Sequence, residues 1–149
     1  MSRTFLPYLC FFSFTLAVSC FQKPDAVTLS MPDATDEIAI KPEDEFRTMT
    51  ILVGSDNNLK YYFGKFNPEK VSDTKTGQPL HEEIEKLKRT VADQSSQKGE
   101  SDTQINVLIK VNKDGNYEVL TAILDEMTRS AIRHYAISHI RAEESEMFK

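Results

Sequence analysis

The sequence predicts an α+β fold: a small two-layer domain of order β-β-α-β-α-β, preceded by one N-terminal transmembrane helix. Three observations carry this expectation. Residues 4–22 run for 19 positions without a formal charge. Residues 46–63 hold two short β-rich runs around a Gly-Ser-Asp-Asn-Asn turn. Residues 79–140 then alternate helical and extended periodicities. The chain divides into a hydrophobic anchor (1–22), a proline- and acid-rich linker (23–45), the folded domain (46–141) and a charged tail (142–149).

Composition narrows the function classes. The 149 residues are 28% charged and 40% hydrophobic, as expected of a chain that folds. The net charge of −5 and the absence of a basic cluster argue against nucleic acid as a partner. Both cysteines, Cys10 and Cys20, lie in the hydrophobic segment, so the rest of the chain has neither a disulfide framework nor zinc-ligand spacing.

A helix over residues 4–22 spans about 28 Å at ~1.5 Å per residue, close to the hydrocarbon core of a bilayer. Three readings fit it: a retained membrane anchor, a cleaved secretory signal, and a lipoprotein signal. In the third, Leu16-Ala17-Val18-Ser19-Cys20 resembles a bacterial lipobox and Cys20 is the lipidated residue. All three export the domain, and Arg3 favours a cytoplasmic N-terminus. In the linker, Pro24, Pro32 and Pro42 exclude a continuous helix. Val27, Leu29 and Met31 alternate with Thr28 and Ser30, which makes residues 27–31 a candidate docking strand; the other reading is a plain acidic spacer.

Within the domain, residues 46–53 form the first strand, with Phe46, Thr48, Thr50 and Leu52 on one face and Met49, Ile51 and Val53 on the other. Residues 59–63 complete a hairpin. Residues 64–77 read as a loop. Pro79 opens a helix whose stripe is Leu80, Ile84, Leu87 and Val91, with Glu82–Lys86 and Glu85–Arg89 as surface pairs. Residues 93–103 are polar and read as a surface loop. Residues 105–111 are the most apolar run and are expected at the centre of the sheet. Asn116 or Asp114 caps a second helix with the stripe Tyr117, Leu120, Ile123, Leu124 and Met127. Residues 135–140 form the last strand, parallel to 105–111 with a right-handed crossover, and the helices cover one face of the sheet. The tail from Arg141 is expected to fray.

No catalytic constellation emerges. The five glycines are isolated, and neither a metalloprotease motif nor a nucleophile elbow occurs. His81 is placed on a polar helix face, and His134 and His139 fall on opposite faces of a strand, a poor metal pair. The runs Glu43-Asp44-Glu45, Glu82-Glu83 and Glu143-Glu144 read as solvated acids. Tyr61-Tyr62-Phe63 reads as hairpin packing whose outward member can serve a partner. No catalytic, cofactor-binding or metal residue is assigned, and the domain reads as a binding or mechanical module.

In order and spacing these pieces resemble the ExbD/TolR family of biopolymer transport proteins. Phe11-Phe12 is similar to the family's paired phenylalanines, and residues 23–32 to its post-membrane segment ending in Met-Pro. Residues 50–62 resemble its first hairpin. Residues 105–111, Tyr117 and residues 120–127 resemble its following strand and helix, and residues 133–137 its last strand. The resemblance implies an accessory subunit of a complex in the bacterial inner membrane that is driven by the proton-motive force. Such a subunit is single-pass, with its C-terminal domain in the periplasm. The implied partners are an ExbB/TolQ-like channel protein, a TonB/TolA-like protein and a second copy of the chain, with no cofactor and no small-molecule substrate. The resemblance also implies a membrane aspartate eight residues before the phenylalanine pair. That position holds Arg3, and residues 4–22 contain no carboxylate. Arginine does not titrate near neutrality, so it cannot relay protons. Two readings follow: a reading frame that extends upstream, or a non-motor binding module or lipoprotein built on the same domain.

Overall fold

A computed structural model describes residues 40–55 and 58–149. The expectations placed on Arg3, Cys20, Val27, Leu29 and Met31 lie outside these residues. Among the described residues, no helix is long and apolar enough to cross a membrane.

The chain enters through a 3-10 helix, Pro42–Arg47, opened by a proline in its first turn. The Thr48 hydroxyl donates to the Asp44 carbonyl at 2.7 Å and closes this turn. Strand β1 therefore begins at Thr48 and not at Phe46, running Thr48–Val53. Strand β2, Leu59–Phe63, pairs with it antiparallel, as the hairpin pattern predicts. The stretch expected as a loop holds more order. A second 3-10 helix, Pro68–Lys70, is capped by the Asn67 side chain, and strand β3, Ser72–Thr74, pairs with β2. Its three polar residues are not buried and show no alternation, so sequence periodicity carries no trace of them.

Helix α1 runs Gln78–Lys98, beyond its expected end. Ser95 lies four residues after Val91 and is fully buried, so the stripe continues through a polar residue. The Ser95 hydroxyl donates to the Asp102 carbonyl at 3.0 Å. The helix stops at Gly99, whose φ of 71° is the left-handed cap that glycine adopts without strain. On its surface the acids find partners other than those expected. Glu82 accepts from Gln78, while Lys86 pairs with Glu83 and Lys88 with Glu85.

Strand β4, Asn106–Val111, lies parallel to β1. Helix α2, Tyr117–Arg129, is capped by Asn116, which accepts from the Glu118 amide. Tyr117 stands on the surface, 81% exposed, rather than in the stripe. The buried positions are Val119, Ile123, Glu126 and Met127, with Leu120 and Leu124 beside them. Strand β5, His134–His139, is parallel to β4. The sheet order is β3-β2-β1-β4-β5, so β1 occupies the centre and β4 lies one place out.

Side chains alternate across this sheet. Met49, Ile51, Val53, Val107 and Ile109 face α1 and α2 and form the main core with their stripes. The opposite face carries Thr50, Leu52, Lys60, Tyr62, Leu108 and Lys110. It is not left to solvent: Thr50 and Leu52 are fully buried and Tyr62 nearly so. The tail forms helix α3, Ala142–Ser145, and a 3-10 helix, Glu146–Phe148, instead of fraying. The two long helices thus cover one face, and short C-terminal turns bind the other.

Candidate interaction site

Strand register builds the polar centre of the second face. Thr50 pairs with Tyr62 on one side and Leu108 on the other, and Leu52 with Lys60 and Lys110. Tyr62 and Lys110 therefore flank β1 from opposite sides. The Glu144 carboxylate reaches across it to both. Its Oε1 accepts from the Tyr62 hydroxyl at 2.7 Å and from Lys110 Nζ at 2.6 Å. Arg141 completes the set: its guanidinium donates to Oε1 at 2.8 Å and its backbone N–H to Oε2 at 2.9 Å. Glu144 is 0% exposed and Lys110 7%.

Burial alone pushes the Glu144 carboxyl up. The hydrogen bonds from Arg141, Lys110, the Arg141 amide and Tyr62 overcome it and hold the carboxyl at about 2. Burial, and then the neighbouring carboxylate, push the Tyr62 phenol up, while the hydrogen bond to Glu144 raises Arg141 further. The group is a charged cluster held ionised by its own donors. The tail's last aromatic ring fits over Gly54, where an added Cβ would lie 2.7 Å from two Phe148 ring atoms.

Two further clusters frame the domain. Arg47, 8% exposed, donates to Asp102 at 2.9 Å and Glu100 at 2.8 Å, and its guanidinium lies over the Phe46 ring at 4.7 Å. It ties the point of chain entry to the loop between α1 and β4. Asp102 is held below the usual carboxylate range, chiefly by the Gln104 backbone N–H and further by Arg47. On the helical side, His81 Nδ1 lies 2.7 Å from Glu126 Oε1, which also accepts from the Ser130 hydroxyl at 2.7 Å. The Ser-His-Glu composition suggests hydrolysis, but the geometry does not. The Ser130 hydroxyl donates its hydrogen bond to the carboxylate, with its oxygen 3.2 Å from the same His81 Nδ1, and Ser130 is only 3% exposed. The cluster joins α1 to α2.

His81 thus belongs to a half-buried network rather than a free polar face, and Glu144 to the interior rather than solvent. His134 and His139 stand exposed at the two ends of β5. Among the described residues no three metal-ligating side chains converge. Tyr61 and Tyr62 are packed, and Phe63 is the outward member at 39% exposure. Beside the entry turn, a cavity of about 310 Å³ is lined by Ile40, Thr48, Leu108, His134 and Ala136 among others. Sequence patterning missed Glu144, Lys110 and Glu126. The one local relation is that Glu144, three residues after Arg141, reaches back to the Arg141 amide; it does not point to Lys110 or Tyr62.

The described residues thus form a mixed five-stranded sheet with two long helices on one face and the short C-terminal turns on the other. The model of the family described as biopolymer transport protein ExbD/TolR matches residues 6–140. The chain belongs to the ExbD/TolR family, whose members are transport accessory proteins that work with ExbB/TolQ- and TonB/TolA-type partners. No curated protein and no solved structure matches.

Proposed function

We propose that this chain is an accessory subunit of an inner-membrane complex that converts the proton-motive force into work on the cell envelope. In this reading residues 4–22 attach it to the membrane and the sheet domain lies in the periplasm. Its partners are an ExbB/TolQ-like channel protein, a TonB/TolA-like protein and a second copy of itself. The observation that carries the reading is the family match, which runs through both the hydrophobic segment and the domain. Deleting the gene and complementing it in the native cell tests it. The expected result is loss of an envelope function, uptake or barrier integrity, that a protonophore also abolishes, with recovery on re-expression. A deletion strain that retains that function overturns it.

One observation favours a second reading, a non-motor module: Arg3 stands where the family aspartate is expected, and residues 4–22 hold no carboxylate. Complementation by the chain translated from Met1 alone separates the two. Recovery of the protonophore-sensitive function supports the motor subunit; a folded, membrane-bound chain that restores nothing supports the module. Palmitate labelling lost in Cys20→Ala identifies a lipid anchor in either case.

A further inference from the structure

The family match ends at residue 140, and the buried carboxylate that closes the second sheet face lies beyond it, at Glu144. Lys110 and Tyr62 lie within the matched region. The receiving groups thus lie in the matched region, and the group they receive is supplied by the tail. The tail is a short attachment: helix α3 spans four residues and the following 3-10 helix three. Ala142, Glu143 and Glu146 are exposed. Its polar attachment to the sheet is concentrated in one carboxylate, and Phe148 fits the Gly54 notch beside it. Lys60, ion-paired with Asp73, has its Nζ 5.8 Å from the Phe148 ring.

From this geometry we infer that the notch formed by Lys110, Tyr62 and Gly54 is a receptor for an acidic partner peptide. The peptide carries a carboxylate and an aromatic ring about one helical turn apart, and residues 141–149 occupy the receptor in cis. With the tail away, water solvates Lys110; a partner that covers the notch again without a counter-charge would bury a lone ammonium, which is strongly unfavourable. Whatever replaces the tail must bring an anion to Lys110 and an oxygen acceptor to the Tyr62 hydroxyl. Between them, over β1, lies apolar surface at Leu52 that an aromatic or aliphatic neighbour covers. A neutral or basic peptide cannot meet these conditions. The tail competes for the site, so a partner's apparent affinity falls by the fraction of time the tail is seated. Such a receptor is independent of which membrane complex the chain serves.

The test uses the full-length chain in detergent and a labelled synthetic peptide of residues 140–149. Glu144→Ala unseats the tail and is expected to bind the peptide about tenfold or more tightly than the wild-type chain does. Adding Lys110→Met to that variant, or replacing the peptide's own glutamate at position 144 by alanine, is expected to abolish binding. A folded Glu144→Ala chain that ignores the peptide, or equal binding to the Lys110→Met double variant, overturns the inference. If Glu144→Ala does not fold, amide hydrogen exchange on the wild-type chain decides. The Ser145 amide is expected to exchange about 100-fold faster than that of Ile109, because the tail opens without the sheet. Equal opening free energies at the two sites make the tail an inseparable part of the core and overturn the inference.

Discussion

Lys110 Nζ and Glu144 Oε1 meet at 2.6 Å inside the domain, 34 residues apart in sequence, with Tyr62 and Arg141 donating to the same oxygen. The pair stitches the C-terminus to the sheet one strand away from its centre. Burying two charges is costly, and the surrounding donors offset that cost.

Breaking one side of this pair is expected to be worse than removing both. Glu144→Ala removes the counter-charge of Lys110 and unseats the tail, with an expected loss of up to about 3 kcal/mol in urea unfolding. Glu144→Leu combined with Lys110→Met is expected to recover most of it. Additive losses in the double variant contradict a direct coupling.

The same carboxylate gives a pH dependence of definite sign. Its folded value of about 2 lies below the ordinary glutamate value near 4.5. The stability it contributes is present above about 4.5 and is lost as pH falls towards 2. The full effect is on the order of 3 kcal/mol at ~1.4 kcal/mol per unit. Unfolding free energy measured from pH 6 to 2 is expected to fall less steeply in Glu144→Gln over that window. An unchanged slope contradicts the assignment.

Gly54→Ala places a methyl group against the Phe148 ring. Overpacking costs on the order of 1 kcal/mol where the ring cannot shift. The ring belongs to the chain's end and can lift away, so the expected signature is a loss of the Phe148 side-chain contacts to β2 by NMR with β1 intact. In a Phe148→Ala background the substitution is expected to be nearly neutral, apart from the 3.2 Å approach to the Asn58 carbonyl.

Arg47 holds two carboxylates with one planar group, something a lysine ammonium does poorly. Glu100 and Asp102 are 43% and 61% exposed, so solvent screens the pairs and Arg47→Ala is expected to cost only about 1 kcal/mol. Arg47→Lys is expected to recover less than half of that. Thermal unfolding in low and high salt checks this, since the deficit is expected to shrink with salt.

The parts of the fold that depend on apolar periodicity were legible in the sequence. The β1–β2 hairpin, the Leu80-Ile84-Leu87-Val91 stripe and the parallel β4–β5 pair are written in residues that must be buried. What escaped was polar. Strand β3 pairs through its backbone and exposes Ser-Asp-Thr. The last two turns of α1 continue through Ser95, a residue whose burial depends on a distant carbonyl. The tail looked soluble because Glu144 is charged. Its burial depends on Lys110 and Tyr62, brought near it only by the folded sheet. No local pattern reports such a partner.

The most direct test of the proposed role is affinity purification of the full-length chain from native membranes in mild detergent. Co-purification of a multi-spanning ExbB/TolQ-type channel protein at fixed stoichiometry is expected, with two copies of this chain per complex. Recovery of the chain alone, folded and membrane-derived but without a channel subunit, contradicts that role.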